Sequence, residues 1–257
     1  MEKIKFIHKV SKGSRFNQIY IPKEMDMHFK AGDLVEVTLL KKRVSLYPSN
    51  NLKQLSEFKE NLIKNIFSSL ETFNEIKQIF IVGSFLTQKT EYNDIDLILI
   101  SDKNLEEEVF VYLTDNFQLK FHIMVISEKS FQYLQKSCPL TRSMLYFFVS
   151  NKEFLLSEII ETDKKHLKFL LMMPEDLLTL KLKSRVFYDS VRRLITIERF
   201  LENKILNPIL IEKEIANLLG EKPAIYLRSG EEIDEPTVKK LRDIIKIKLN
   251  NIYKKIK

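Results

Sequence analysis

The sequence predicts a mixed chain of three parts: a small all-β unit, an α/β domain and a helical C-terminal region. Residues 1–50 contain short β-prone runs separated by turn residues, and a polar break at residues 49–51 follows them. Between residues 51 and 160, apolar runs typical of buried strands alternate with segments of helical apolar spacing. Residues 161–257 keep helical spacing almost throughout. These three ranges are the predicted domains.

The composition argues against a membrane-spanning segment and against a disulfide framework. The 257 residues are 44% hydrophobic and 30% charged, and no apolar run approaches the roughly 20 residues that cross a bilayer. The first residues lack the apolar stretch of a signal peptide. A single cysteine, Cys138, excludes an internal disulfide and a cysteine-cluster zinc site, and we expect it to pack in the core. Together these features predict a cytoplasmic protein.

The central domain is predicted to alternate helices and strands. In chain order, the predicted elements are a helix within 52–73, strands at 79–83 and 94–101, a helix at 105–116, a strand at 118–127 and an edge strand at 145–154. This alternation is typical of an α/β domain.

Two aspartates stand at the start of the second of these strands, separated by one residue. On a strand, residues i and i+2 point to the same face, so Asp94 and Asp96 project together while Ile95 points the other way. Neighbouring carboxylates repel each other unless a cation lies between them, and oxygen ligands suit Mg²⁺ or Mn²⁺. The pair therefore predicts a metal site.

A Gly-Ser turn, Gly83-Ser84, ends the preceding strand. Glycine lets the backbone approach phosphate oxygens closely, and Ser84 adds a hydroxyl group. Lys89 in the connecting loop is a candidate for contact with a phosphate, and a solvated loop lysine is the alternative. The turn and the carboxylates together predict a site for a metal-bound nucleotide.

These motifs resemble the signature of the nucleotidyltransferase superfamily typified by DNA polymerase beta and its minimal relatives. The matching residues are Val82-Gly83-Ser84 and Asp94-Ile95-Asp96-Leu97. The resemblance implies that Asp94 and Asp96 hold Mg²⁺ or Mn²⁺ against an NTP, and that Gly83 and Ser84 hold phosphate oxygens. It also implies that a hydroxyl of a nucleic acid, a protein or a small molecule attacks the α-phosphorus and releases pyrophosphate.

Family members generally carry a third acidic residue on the strand after the intervening helix, where this chain has His122. Three interpretations stay open. His122 serves as a metal ligand or as the base. A carboxylate outside the strand, Glu128 or Asp115, takes the role. Or the site binds a nucleotide and a metal without efficient catalysis, with His122 as an ordinary packed histidine.

The first fifty residues resemble the swapped-hairpin DNA-binding domain of the SpoVT/AbrB type. The matching segments are residues 10–13, 19–23 and 31–37, and a hairpin is predicted from residues 34–39 and 43–47. So short a β unit cannot bury a sufficient core alone, and the resemblance implies a homodimer of interleaved chains. Lys12, Arg15 and Lys23 of both chains would then contact the phosphates of double-stranded DNA. The net charge of +7 allows such a partner.

The C-terminal region is predicted to form a long helix at 175–206 beginning at Pro174, a helix at 209–219 closed by Gly220, and a last helix from Pro236. Two pairs, Arg185 with Tyr188 and Arg192 with Arg193, are candidates for phosphate or acceptor contacts, and solvated helix faces are the alternative. The region resembles the helical partners of minimal nucleotidyltransferases in toxin–antitoxin modules. Because no histidine follows these arginines, a nuclease is disfavoured.

Two functions are consistent with these observations. The first is a Mg²⁺-dependent nucleotidyltransferase that is dimerised, and tethered to DNA, by its N-terminal domain. The alternative is a dimeric DNA-binding regulator or antitoxin-like protein whose nucleotide-binding domain is degenerate. The intact turn and carboxylate pair favour the enzyme, and the absence of an evident third acidic residue favours the regulator.

Overall fold

The computed structural model of this chain describes residues 5–38, 43–87, 92, 94–180 and 182–256. The chain divides into two compact units, Met1–Arg43 and Val44–Lys257. The predicted phosphate contact Lys89 lies outside the described residues. Within the described ranges, no helix is both long enough and apolar enough to cross a membrane.

The first unit contains little regular structure. Strand β1 (Ser11–Lys12) pairs antiparallel with β2 (Asn17–Gln18). Pro22 precedes a 3₁₀ turn at Lys23–Met25, as expected where proline preorganises a helical turn, whereas the strand before it already ends at Gln18. The three predicted DNA-binding residues of this unit are all exposed: Lys12, Arg15 and Lys23.

The predicted hairpin of residues 34–39 and 43–47 does not form in the described part of the chain. Of its described residues only Tyr47 lies in a strand, and Tyr47–Pro48 (β3) pairs with another strand of the second unit. None of the described residues of the first unit is buried. Because this unit has no apolar core in its own chain, no packing fixes the register of such a hairpin. The swapped-hairpin module is therefore not shown.

The second unit is built on a five-stranded mixed sheet with strand order β3-β7-β4-β5-β6. The strands after β3 are β4 (Gln78–Val82), β5 (Ile95–Ile100), β6 (Phe121–Ile126) and β7 (Phe148–Ser150). Strands β5 and β6 run parallel, and the other neighbours run antiparallel. The strands predicted for β4, β5 and β6 are confirmed to within a few residues. The strand predicted within 145–154 does form as β7, but the prediction that it lies at the edge is wrong, because β7 lies between β3 and β4.

Helices α1 (Glu57–Leu70) and α2 (Glu106–Phe117) pack on one face of the sheet. Helix α1 begins at Ser56, whose hydroxyl accepts a backbone amide hydrogen bond of the first turn. Because side chains alternate along a strand, Ile95 packs under these helices while Asp96 points to the opposite face, as predicted.

The opposite face of the sheet is covered by α3 (Glu128–Ser137) and α4 (Pro139–Met144). Its core is aromatic: Phe80 on β4 packs against three further phenylalanine rings at centroid distances of 4.9 to 5.7 Å. This is the face on which Asp96 and His122 lie.

Five further helices surround a second apolar core. They are α5 (Lys164–Asp176), α6 (Ser184–Leu201), α7 (Pro208–Leu219), α8 (Glu221–Ser229) and α9 (Glu235–Ile256). Helix α6 packs against each of the other four. Cys138 is buried in this core, as predicted. The helices predicted at 209–219 and from Pro236 are confirmed as α7 and α9, whereas α8 was not predicted.

The single helix predicted at 175–206 is wrong. Pro174 lies inside the last turn of α5, and α6 begins only at Ser184. The side chain of Arg242 on α9 donates hydrogen bonds to the carbonyls of Leu177 and Leu180, each at 3.1 Å. These carbonyls are satisfied without a continuing helix, so the chain is free to turn after α5.

The unit boundary at Arg43 precedes the predicted break at residues 49–51. Ser49 is joined to the sheet, since its hydroxyl donates to the Tyr146 carbonyl at 3.3 Å and accepts from the Phe148 amide at 3.3 Å. Residues 44–257 form one compact unit with separate apolar cores around the sheet and among the helices. A domain division near residue 160 stays a prediction.

Candidate active site

Neighbouring strands bring most of the predicted site residues together. Strand β4 ends at Val82, immediately before Gly83 and Ser84. Val82 pairs with Asp96 on β5, and Asp96 pairs in turn with His122 on β6. The Gly-Ser turn, one carboxylate and the histidine thus meet at one end of three adjacent strands.

Gly83 allows the carboxylate to lie directly against the backbone. Its φ of 82° is a conformation that residues with a side chain rarely adopt. A Cβ atom built on Gly83 would lie 2.1 Å from Oδ2 of Asp96. Any other residue here would be strained and would push the carboxylate away, so conformation and space both require glycine.

The turn after Gly83 is closed by local hydrogen bonds. Residues Ser84–Leu86 form a 3₁₀ turn. The Ser84 carbonyl accepts the Thr87 hydroxyl at 2.7 Å and the Thr87 amide at 3.0 Å. The half-buried Ser84 therefore sits on a defined turn beside the carboxylate.

His122 contacts the same carboxylate from the other side. Its Nδ1 lies 3.0 Å from Oδ1 of Asp96, and the two side chains are 60% and 22% exposed. An ionised carboxylate only accepts hydrogen bonds, so Nδ1 is the donor in this contact, and in the neutral ring Nε2 is then the acceptor. The histidine is therefore oriented by Asp96, with the rest of its ring accessible to a ligand.

The surroundings of Asp96 shift the pKa of its carboxyl group. Burial raises the pKa of its carboxyl group, and the neighbouring negative charge of Asp94 adds to that rise. The hydrogen bond from His122 and the positive charge of Arg192 lower the same pKa in part. Positive charge near Asp96 therefore favours the ionised form of this carboxylate.

One residue of the helical region, Arg192 on α6, affects the candidate site through its charge. Among the basic candidates of that region, it is the one whose charge acts on Asp96. Arg193 donates instead to a backbone carbonyl of α5 at 3.2 Å, which is a structural role. Tyr188, the proposed companion of Arg185, is buried in the helical core. The members of each predicted pair therefore do not act together. Of these four residues, Arg192 is the one whose charge lowers the pKa of Asp96.

Glu128 does not replace the third acidic residue. It starts α3, beyond the far end of β6, where its carboxylate pairs with Lys77 at 2.8 Å. Lys77 also pairs with Asp102 at 2.7 Å, so Glu128 belongs to an ion-pair network away from the Gly-Ser turn. Asp115 is exposed in the last turns of α2. In the described structure, His122 is the side chain of β6 that contacts Asp96.

A cleft of about 510 Å³ opens beside His122. It lies between β6 and the start of α2, and its wall is part apolar and part acidic. The lining residues are Asn104, Glu106, Glu107, Phe110, Phe121 and Ile123, together with His122.

The donor set at the site suits a divalent cation that is shared with a substrate. Among the described residues, no group of three histidine, cysteine or acidic side chains is arranged around a common point. Two carboxylates are nevertheless the ligand number that Mg²⁺ takes when substrate phosphates and water complete its shell. Burial and the negative charge of Asp94 raise the pKa of Asp96, and a cation bound here would favour its ionised form. Asp94 and Asp96 therefore fit the predicted ion.

Comparisons with known proteins add little to this geometry. A scan against family models gives no match, and a search of curated proteins gives none. A search of solved structures finds spectinomycin adenyltransferase AAD(9) from Enterococcus faecialis, crystallised with ATP and spectinomycin. The match has a TM-score of 0.42 and 15% identity, and covers 74% of this chain and 98% of that chain. A likeness of this size transfers no function to this chain.

Proposed function

We propose that the second unit is a nucleotidyltransferase that transfers a nucleoside monophosphate from an NTP to a hydroxyl group. The observation that carries this proposal is the contact between a largely buried carboxylate and a glycine turn. Oδ2 of Asp96 lies against Gly83, and Asp94, immediately before β5, is close enough for its negative charge to raise the pKa of Asp96. Carboxylates for a divalent cation and a backbone that phosphates can approach are the two requirements of a metal–nucleotide site.

Each residue of the site has a distinct role in this proposal. Asp94 and Asp96 would hold Mg²⁺ or Mn²⁺, which when bound neutralises phosphate charge and polarises the α-phosphorus. The Gly83 backbone and the Ser84 hydroxyl bind phosphate oxygens. The positive charge of Arg192 on the same face stabilises the negative charge of the triphosphate.

The transfer itself needs one proton acceptor. The acceptor hydroxyl oxygen forms a bond to the α-phosphorus while the bond from that phosphorus to the bridging oxygen breaks, and its electron pair leaves with pyrophosphate. Nε2 of His122 takes the hydroxyl proton, since Nδ1 is held by Asp96. The acceptor enters through the cleft beside His122. His122 thus takes the role of proton acceptor that the third acidic residue has in the resembling family.

The test is transfer of label from NTPs radiolabelled at the α-phosphate, with Mg²⁺ or Mn²⁺. Total RNA, total protein and hydroxyl-bearing small molecules, spectinomycin among them, serve as acceptors. We expect the wild-type chain to label one acceptor class from the α-labelled NTP and, in a parallel reaction with NTP labelled at the γ-phosphate, to release that label as pyrophosphate. Asp94→Asn and Asp96→Asn should abolish both signals.

Asp102→Asn is the matched control for these variants. Asp102 is an exposed carboxylate just beyond the far end of β5, paired with Lys77 away from the site, so its loss should leave transfer unchanged. Transfer that survives the loss of Asp94 and Asp96 would contradict the mechanism. No labelling of any acceptor by a folded wild-type chain would contradict the enzymatic function itself.

The first unit supports a second element of the proposal, which is self-association and DNA contact. Its apolar side chains are exposed in the single chain, including Val10, Phe16, Leu34, Val35 and Val37. Exposed apolar area of this kind favours burial against a partner, and we propose a second copy of the chain. Exposed Lys12, Arg15 and Lys23 would then contact phosphates of double-stranded DNA from both copies.

The alternative function is a dimeric DNA-binding regulator whose nucleotide site does not catalyse transfer. It is favoured by one observation: among the described residues, no group of three histidine, cysteine or acidic side chains is placed to hold a metal ion. Binding of labelled duplex DNA, followed by anisotropy at several salt concentrations, separates the two functions. For the regulator, DNA binding persists in Asp94→Asn and no acceptor is labelled by the wild-type chain. For the enzyme, transfer proceeds with or without DNA.

A further inference from the structure

A buried lysine lies beneath the Gly-Ser turn. Lys59 is in the first turn of α1 and is only 9% exposed. Its Nζ donates a hydrogen bond to the Thr87 carbonyl at 2.8 Å. The same nitrogen lies 5.3 Å from the centroid of the Phe85 ring and 5.7 Å from that of Tyr92. The ammonium group thus sits between a backbone carbonyl and two aromatic faces.

This position is costly for a lysine. Long charged side chains are rarely buried, because removing the ammonium group from water disfavours its charged form. Burial accordingly lowers the pKa of Lys59. Lys64, on the same helix, lies nearer the surface, where it pairs with Glu60 at 3.5 Å. An apolar side chain at position 59 would fill the same space without this cost, which indicates that the charge has a use.

Lys59 contacts residues on both sides of the site: two that follow Ser84 and one that precedes Asp94. Thr87, whose carbonyl Lys59 binds, also closes the turn through its hydrogen bonds to the Ser84 carbonyl. The Phe85 and Tyr92 rings pack edge to face at 4.9 Å. Phe85 follows Ser84, and Tyr92 stands just before the carboxylate strand. One ammonium group therefore contacts both the phosphate-binding turn and Tyr92, two residues before Asp94.

We propose that Lys59 is a positioning residue that fixes the Gly83–Ser84 turn relative to Asp94 and Asp96 without touching the nucleotide. This inference rests on the proposed function. A charged hydrogen bond to the backbone of the turn, strengthened by two aromatic faces, holds Ser84 where it meets a phosphate oxygen. Preorganisation of this kind lowers the cost of binding the substrate and orients it for transfer.

The test compares Lys59→Met, which keeps the length of the side chain but removes the charge, with Lys59→Arg and with the surface control Lys64→Met. The turn is followed directly by hydrogen exchange at the amides of Leu86 and Thr87, which donate to the Gly83 and Ser84 carbonyls. We expect Lys59→Met to speed exchange at these amides by about tenfold or more, and to lower kcat/KM for the NTP by a similar factor, mainly through KM. Lys59→Arg should restore part of both, and Lys64→Met should change neither.

A second pair of variants covers the case in which Lys59→Met does not fold. Thr87→Val removes the hydroxyl that donates to Ser84 and should raise KM for the NTP, whereas Thr87→Ser keeps the hydroxyl and should not. Unchanged exchange and unchanged KM in Lys59→Met would overturn the proposal. So would a lower unfolding midpoint with exchange raised evenly along the chain and the KM unaltered.

The experiment also separates this inference from the proposed function. If the wild-type chain labels no acceptor, the proposed function fails, and exchange at Leu86 and Thr87 still decides whether Lys59 holds the turn. If the wild-type chain transfers label and Lys59→Met behaves like Lys64→Met, only the role of Lys59 fails.

Discussion

The two units of this chain differ in where their apolar side chains lie. In the second unit, strand residues such as Ile81 and Leu97 are fully buried, and a single chain completes the sheet and the candidate site. In the first unit, Phe16 is 78% exposed and Leu34 is 101% exposed, and no described residue is buried. Burial of apolar surface is the dominant favourable term in folding. The first unit therefore lacks, within one chain, the term that stabilises the second.

Because of this difference, the second unit is suited to catalysis and the first to association with other molecules. Catalytic groups must be held close to their productive geometry by packed neighbours, and Gly83 against Asp96 on a buried sheet meets that condition. The first unit offers exposed charge and apolar area instead, which suits contact with other molecules. Changes in the second unit should therefore alter chemistry or stability, and changes in the first should alter association.

After the loss of the two aspartates, the largest effect is expected from the histidine on β6. His122→Gln removes the proton acceptor proposed for the hydroxyl, and kcat should fall by about 10²- to 10⁴-fold in steady-state transfer assays. His28→Gln, at an exposed position of the first unit, should leave kcat unchanged. His122→Glu, which supplies a carboxylate on the same strand, should keep more activity than His122→Gln. If His122→Gln retained nearly full kcat, the base would lie elsewhere and the histidine would only pack beside Asp96.

The glycine turn gives the next largest effect. Gly83→Ala places a methyl group on Oδ2 of Asp96 and should lower kcat/KM by roughly a hundredfold, the cost of a small displacement in an active site. Gly220→Ala is the matched control, because its φ of 92° is equally unfavourable for alanine while its Cβ would meet only Pro223 at ordinary contact distance, 3.5 Å.

Both glycine variants should lose about 1–3 kcal/mol of unfolding free energy from backbone strain. Only Gly83→Ala should also lose transfer activity. Equal activity in the two variants would mean that the contact between Gly83 and Asp96 does not matter for the reaction.

The parts of the fold and site that the sequence could predict depend on short-range rules. The alternation of Asp94, Ile95 and Asp96 follows from strand geometry, and the glycine before Ser84 follows from the need for an open turn. The register of β5 with β6, which sets His122 beside Asp96, agrees with the predicted order of strands. Such features need only neighbours in sequence or in the next element.

The parts that the sequence could not predict depend on distant contacts. The helix break after Pro174 depends on Arg242, which satisfies the Leu177 and Leu180 carbonyls from another helix. In the sequence, Lys59 looks like an ordinary surface lysine of an amphipathic helix, and its burial becomes visible only when Thr87 and Phe85 lie above it. No local pattern carries either piece of information.

A pair of leucines tests the difference in burial directly. Leu97→Ala removes a fully buried strand side chain and should lower the free energy of unfolding by about 2–5 kcal/mol in urea titrations. Leu34→Ala removes a fully exposed side chain and should change it by less than about 0.5 kcal/mol at concentrations where the chain is monomeric.

The same two variants should behave in the opposite way in self-association. Leu34→Ala should shift the monomer–dimer equilibrium toward monomer in sedimentation experiments, and Leu97→Ala should not, as long as it stays folded. A monomeric wild-type chain at all accessible concentrations would remove the homodimer from the proposal, and the exposed apolar residues would then need a different partner.

The smallest effect is expected at the basic turn of the first unit. Arg15→Ala in a dimer removes two phosphate contacts, so the slope of log K for DNA against log salt should become shallower by about 2. Arg228→Ala, which removes the same charge from an ion pair with Glu212 at 3.2 Å in the helical region, should leave the slope unchanged. Because phosphate contacts carry no sequence information, Arg15→Ala should weaken binding to all duplexes alike. Equal slopes for the two variants would assign DNA contact to another surface, or to none, and would leave the first unit with association as its only role.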